Sequence, residues 1–245
     1  WAPLPGVPEP RLAQRWESSA DARSWTVELR RGVRSATNHE LTAEDVRWGL
    51  ARSLELRALG RWRLRRIGGL PSPDAIIVTG RYSVRFELAR PNPQFPAYLV
   101  FPANLVIDSE EARKHVTADD PWATRWLERH PSGFGAFHLA TQVDDVIELR
   151  AHMDYWAGRP GIDAIVQIGV DSREQALRLF ERGEVNALIG LYPEELARFA
   201  GRRGVELRRA RYNHSTLEFN FRTPPFDDQR LRQAVRLALP YERIL

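Results

Sequence analysis

The sequence predicts a mixed α/β fold, and three stretches carry that prediction. Residues 25–30 (Trp-Thr-Val-Glu-Leu-Arg) and 82–88 (Tyr-Ser-Val-Arg-Phe-Glu-Leu) alternate apolar and polar side chains, the period of a half-buried strand. Between them Thr42 precedes Asp45 by three residues, approximating a capping box, and Val46, Leu50 and Leu54 follow as an i, i+4, i+8 stripe. Near the C-terminal end Leu217, Phe219 and Phe221 alternate with Glu218, Asn220 and Arg222, and Pro224-Pro225 then ends the run. Asp227 or Asp228 caps the next segment, where Leu231, Ala234, Val235 and Ala238 recur at helical spacing. Strand, turn and helix are expected there.

The remaining elements follow the same logic in chain order. Gly32 permits a turn after the first strand, and the first helix begins after Leu41. The second strand ends at Pro91-Asn92-Pro93, after which an extended or mobile connection is expected through Phe95 and Phe101. A helix is predicted after Ser109, with Glu110 and Glu111 in its first turn, and another where Asp120 caps and Pro121 takes the first helical position. Gly133-Phe134-Gly135 reads as a turn before strands at 146–149 and 165–168. Ser172 with Gln175 opens a helix that closes at Gly183, and Pro193-Glu194-Glu195 opens one that stops near Gly201. No internal repeat and no low-complexity stretch interrupts the pattern.

Composition narrows the chemistry. A chain of 245 residues, 43% apolar and 28% charged, can bury a substantial core, and no apolar run approaches the roughly 18 residues of a membrane span. Without cysteine there is no disulfide framework, thiolate nucleophile or cysteine zinc site. Of 36 basic residues only Lys114 is lysine, and the net charge is +4. The Arg61-Trp62-Arg63-Leu64-Arg65-Arg66 cluster is readable as a nucleic-acid or anionic-surface contact, or as a solvated helix end before Gly68-Gly69. The first ten residues carry neither a basic n-region nor an apolar h-region, and no methionine leads them. The sequence therefore reads as a processed or excised piece.

Catalytic signatures are missing. Six histidines are scattered without an H-E-x-x-H pair, so no metal site and no cofactor are expected, and neither G-x-S-x-G, a phosphate-cradling loop nor G-x-G-x-x-G occurs. A non-enzyme is expected.

Several motifs, in order, resemble one family. Pro10-Arg11-Leu12-Ala13-Gln14-Arg15-Trp16-Glu17 followed by residues 25–33 is similar to P-x-L-A-x-x-W-E and W-T-x-x-L-R-x-G-V, and residues 41–46 match L-T-A-E-D-V. Residues 132–137 stand at its G-T-G-P-Y/F turn, residues 155–160 match Y-W-x-G-x-P, residues 183–186 resemble G-E-I-D, and 220–235 has the form N-x-x-x-x-P-F-D-D-x-R-x-R-Q-A-V. These are the marks of the dipeptide- and oligopeptide-binding family of ABC-transporter extracellular solute-binding proteins. Departures occur at Asn38-His39, where the family usually has Asp-Gly, and at Phe134, Ala136 and Asn186.

The resemblance implies a two-lobed periplasmic-binding-protein-like fold of type II. Residues 1–212 would be most of lobe one, and 213–245 the crossover strand and the start of lobe two. It implies a monomeric receptor on the periplasmic or extracellular face of the cytoplasmic membrane, either free or lipid-anchored, whose partners are an oligopeptide or other small solute and the ABC permease, with no nucleic acid for this domain. Peptide recognition needs amides and aromatic pockets, which selects Asn220 and Phe219 on the crossover, Asn213 before it, Tyr192 ahead of a proline-opened helix, and Phe101 as a pocket wall. For Asn220 the alternative is plain exposure on an edge strand; for Tyr192 and Phe101 it is core packing. A second reading is the same fold as the solute-sensing domain of an intracellular transcriptional regulator with a fused helix-turn-helix. The last strand and helix are expected to expose apolar faces when the rest of lobe two is absent.

Overall fold

The computed structural model describes residues 8–56, 59–102, 104–208 and 217–244. They form two compact units that divide at Gln175 and Ala176.

In the first unit, β1 (Ala13–Ser18), β2 (Ser24–Leu29), β3 (Ile76–Gly80) and β4 (Ser83–Glu87) make an antiparallel sheet in the order β1-β2-β4-β3. Alternation in β2 and β4 sends Trp25, Val27, Leu29, Val84 and Phe86 to one buried face. Helix α1 (Ala43–Glu55) covers that face with Val46, Leu50 and Leu54, the stripe the sequence shows. Each large side chain so buried contributes about 1.5–3 kcal/mol. Gly49 sits in the middle of α1 because a Cβ there would overlap the Leu105 carbonyl oxygen. The chain continues through α2 (Leu59–Trp62) into a π-helical turn, Arg63–Gly68, whose Leu64 is fully buried.

Two stretches differ from expectation here. The connection after Pro93 forms a short helix, α3 (Phe95–Leu99), rather than extended chain. Asn92 closes the preceding turn, its side chain accepting from Gln94 N and its carbonyl from Phe95 N, and Phe95 is buried 5.2 Å from Phe86 and 6.5 Å from Trp25. Helix α4 (Ser109–Arg113) starts as expected, capped by Asp108. The next helix, α5 (Thr124–Leu127), begins three residues after Pro121. Asp120 still caps it, but its carboxylate accepts from Thr124 N (2.8 Å) and Arg125 N (2.9 Å), leaving Pro121 in the turn that the Thr117–Asp120 bridge starts.

A second, three-stranded antiparallel meander completes the unit: β5 (Phe137–Val143), β6 (Val146–Ala151) and β7 (Ala164–Ile168), in that order. It joins the core at the bridge of Ile107 with Gly133, through Phe134, and through Trp156, over whose ring the Arg30 guanidinium stacks at 4.5 Å. All five residues of β7 are exposed.

Helix α6 (Arg173–Glu181) leads into the second unit, which also holds α7 (Pro193–Ala197), α8 (Gln229–Ala238) and α9 (Tyr241–Ile244). Phe199 is buried edge-on to Phe180, 5.2 Å away, and Arg198 pairs with Glu181. The strand expected at 217–222 is not formed: 217–220 is irregular and 221–222 lies in a turn. Asn220 decides this locally. Its side chain accepts from Arg222 N at 3.2 Å and donates to Thr223 Oγ1 at 2.9 Å, and its carbonyl accepts from Thr223 N, a turn that competes with any ladder. Phe219 therefore packs on Phe226 (5.0 Å) while Phe221 stays exposed, so the two rings do not share a face. Among the described residues no helix is long and apolar enough to cross a membrane.

Candidate functional site

The loop between β2 and α1 carries the densest polar chemistry of the first unit. Arg34 and Glu40 bridge across it, and Asn38 at its tip takes the left-handed conformation (φ 70°), which asparagine tolerates. His39 then points back. Its Nε2 lies 3.0 Å from Asp45 Oδ2, and its Nδ1 lies 3.1 Å from Glu110 Oε2. Both ring nitrogens meet carboxylates, an arrangement complete only when the ring carries both protons. Asp45 is fully buried and is also the N3 residue of the α1 capping box: Oδ2 accepts from Thr42 N (2.7 Å) and Thr42 Oγ1 (2.9 Å), Oδ1 from Ser109 N (2.9 Å) and Ser109 Oγ (2.8 Å). Asp108, equally buried, accepts from Ser35 and Thr37 hydroxyls, each at 2.6 Å, and from Glu111 N.

The electrostatics follow from these contacts. Burial works against a charge on His39, but the hydrogen bond to Asp45 and the charges of Asp45, Asp108 and Glu110 outweigh it and raise its pKa. Burial likewise pushes Asp108 up, yet the Ser35, Thr37 and Glu111 donors and the nearby His39 hold it below the ordinary carboxylate value. His39, Asp45 and Asp108 bring one ligand atom each within 4.8 Å of one another, a spacing a cation can use. Their carboxylate oxygens are already occupied by hydroxyl, amide and imidazole donors, so the cluster acts as a clamp binding the loop to the N-termini of α1 and α4.

Thr37, held by this clamp, also lies on the wall of the largest cavity described, about 1280 Å³. Arg52, Trp126, His130, Phe134 and Phe137 also line it. Arg52 donates to the Trp122 carbonyl (3.2 Å) and Thr124 Oγ1 (3.4 Å). Trp126 stacks with two imidazoles, His115 at 4.0 Å and His130 at 5.1 Å, with rings within 8° and 14° of parallel. Among the described residues, no serine or threonine hydroxyl of this wall is hydrogen-bonded to a histidine. Rings, imidazole and a guanidinium suit an organic solute with polar groups.

Of the described residues that were selected from sequence, one is in the first unit and three are in the second. Phe101, in the first unit, is half-buried under the Arg63 guanidinium, 4.0 Å from its ring centroid. Tyr192, Phe219 and Asn220 are in the second unit. Tyr192 is exposed and is the N-cap of α7, its N–H donating to Glu195 at 2.6 Å; Phe219 and Asn220 are neighbours in the turn described above. Asn213 lies outside the described residues. Within the second unit Phe219 and Asn220 are brought into one turn. Sequence reading missed the His39–Asp108 half of the clamp; the one available signal was Asp45 as the acidic member of a capping box, because its partner Ser109 is 64 residues away.

The chain belongs to the bacterial extracellular solute-binding proteins, family 5 Middle, whose family model matches residues 7–245. It is 27% identical over 252 residues to the dipeptide-binding protein of Escherichia coli K12, covering 96% of this chain and 46% of that protein. Among solved structures, the solute-binding protein MoaA of A. tumefaciens R10, in complex with mannopinic acid, aligns with TM-score 0.69 and 25% identity over 96% of this chain and 46% of that one. The dipeptide-binding protein of Pseudoalteromonas sp. SM9913, in complex with Met-Leu, shares the fold at TM-score 0.77 and 22% identity, covering 96% and 48% of the two chains. The fold is thus that of type II periplasmic binding proteins. The chain spans about half the length of the curated relatives it matches.

Proposed function

We propose that this chain is part of the solute receptor of an ABC importer, which captures an oligopeptide or comparable small solute and hands it to the permease without chemically altering it. The observation that carries the reading is the family match running from residue 7 to 245. A relative named for dipeptide binding points the same way. In this reading residues 1–212 are most of lobe one, and 213–245 cross into lobe two. That boundary marks where the second lobe starts, whereas the division at Gln175 marks which residues pack together. The receptor works as a monomer outside the cytoplasmic membrane, on its periplasmic or extracellular face. Solute in the interlobe cleft favours closure by the contacts it makes only in the closed state. Asn220, Phe219, Asn213, Tyr192 and Phe101 are the proposed contacts.

Titration calorimetry on the full-length protein with a panel of di- to pentapeptides, opines and metal chelates tests this. One-to-one binding, with the ligand recovered unchanged by mass spectrometry, is the expected result. No heat and no thermal shift from any member of the panel, or ligand recovered cleaved, would overturn it.

A further inference from the structure

The arginine cluster that runs from α2 into the π-helical turn is not used by the clamp or by any cavity described. Between Glu55 and Asp74 the chain carries no acidic residue. Trp62, Arg65 and Arg66, at i, i+3 and i+4, lie on one exposed face of the helical turn, with half-buried Arg61 beside Arg65. Trp62 is 54% exposed. Among the described residues, none of Arg61, Arg65 and Arg66 has a carboxylate partner. Elsewhere Arg47, Arg81, Arg85, Arg125, Arg150 and Arg159 each have one. Three unneutralised guanidinium groups are therefore gathered around one exposed indole.

The turn that presents them is firmly seated. Leu64, Gly68, Gly69 and Leu70 are buried, and Arg63 stacks on Phe101. The carbonyls at the turn's end are taken up from below: Arg90 donates to Arg66 O, and Asn92 Nδ2 donates to Ile67 O (3.2 Å) and Gly68 O (2.9 Å). A turn whose backbone is already fixed loses little backbone entropy when it docks.

We propose that Arg61, Trp62, Arg65 and Arg66 form a docking face for an anionic phospholipid surface. An indole flanked by guanidinium groups on long apolar stems matches a membrane interface, where the ring sits at headgroup level and the cations meet phosphate. The face is a convex helical turn that lines none of the cavities described, so it offers no enclosure for a free phosphate. The family is extracellular, which places a lipid leaflet rather than nucleic acid within its reach.

Sedimentation of the full-length protein with phosphatidylcholine vesicles, with and without phosphatidylglycerol, tests the proposal. Each arginine near an anionic leaflet gains about fivefold in partitioning, so the triple variant Arg61→Gln/Arg65→Gln/Arg66→Gln should lose on the order of a hundredfold. Wild-type binding should fall steeply with salt, and Trp62→Ala should weaken it while leaving that salt dependence in place. Equal retention on both vesicle types, or anionic-vesicle binding unchanged in the triple variant, would sink the proposal. So would retention that requires purified permease in neutral vesicles and is lost in the triple variant, since the partner would then be protein. Solute affinity, measured in parallel, should not change in either variant, so the outcome is independent of the receptor reading.

Discussion

His39 shows how a single side chain ties three segments together. Its pKa is raised in the fold, so the stability it contributes is fully present below its unfolded pKa and is lost as pH rises through the folded value. Asp108 is lowered, so its contribution is present above its unfolded pKa and is lost as pH falls through the folded one. The melting temperature should therefore be highest in mildly acidic solution, about pH 5 to 6, and His39→Gln should flatten the decline above it. A melting curve whose decline from pH 6 to 8 is the same in wild type and variant rules this out. Asp45 anchors the same cluster with no exposure, and Asp45→Asn should cost about 3 kcal/mol because His39 loses its buried counter-charge. Urea denaturation measures it. Only part of this was legible from residues 41–46: the sequence marks Asp45 as the acidic member of a capping box, but its second carboxylate oxygen serves Ser109, a contact that exists only after α4 has docked on α1.

At the scale of elements, the strands and helices that were read correctly are those whose burial pattern is written locally. Residues 25–30 and 82–88 became β2 and β4, and the Val46-Leu50-Leu54 stripe became the buried face of α1. The strand expected at 217–222 had the right alternation, but alternation alone supplies no partner, and Asn220 folds the backbone onto Thr223 instead. Helix α3 was missed because its cause is remote: Phe95 is driven inward by Trp25 and Phe86. Gly49 provides a sign test of such long-range control. Helix propensity alone says Gly49→Ala should stabilise by about 1 kcal/mol. The Leu105 carbonyl pressed against that position predicts destabilisation by about 1–3 kcal/mol instead. An unchanged or higher unfolding midpoint would show that the 104–107 segment yields easily. At the other end, Asp228 accepts from Arg230 N, and Asp228→Ala should weaken α8 by about 1 kcal/mol, seen as faster hydrogen exchange of its amides.

For the molecule as a whole, apolar surface is distributed unevenly. The first sheet buries its rings and branched side chains, whereas Ile165, Val166 and Ile168 on β7 and Leu217, Phe221 and Leu237 beyond it are exposed. Residues 1–245 expressed alone should bind an apolar dye and self-associate at micromolar concentration; a dye-free monomer would contradict this. The family and its α/β fold were legible in the sequence because short motifs recur in order along the chain. The wall of the large cavity was not, because a cavity is made by side chains distant in sequence, and Thr37, Arg52, Trp126 and Phe137 share no local pattern. The near-exclusive use of arginine has one further consequence. Lys114 is the single side-chain amine in these 245 residues, and it stands beside the clamp, lining a small cavity with His39, Asp108 and Glu110. Glu111, 2.6 Å away, holds its ammonium above the ordinary lysine value. An amine-reactive fluorophore will therefore attach at one internal position, and slowly, until alkaline solution frees the nucleophile; once attached, it gives an optical readout of the loop that carries His39.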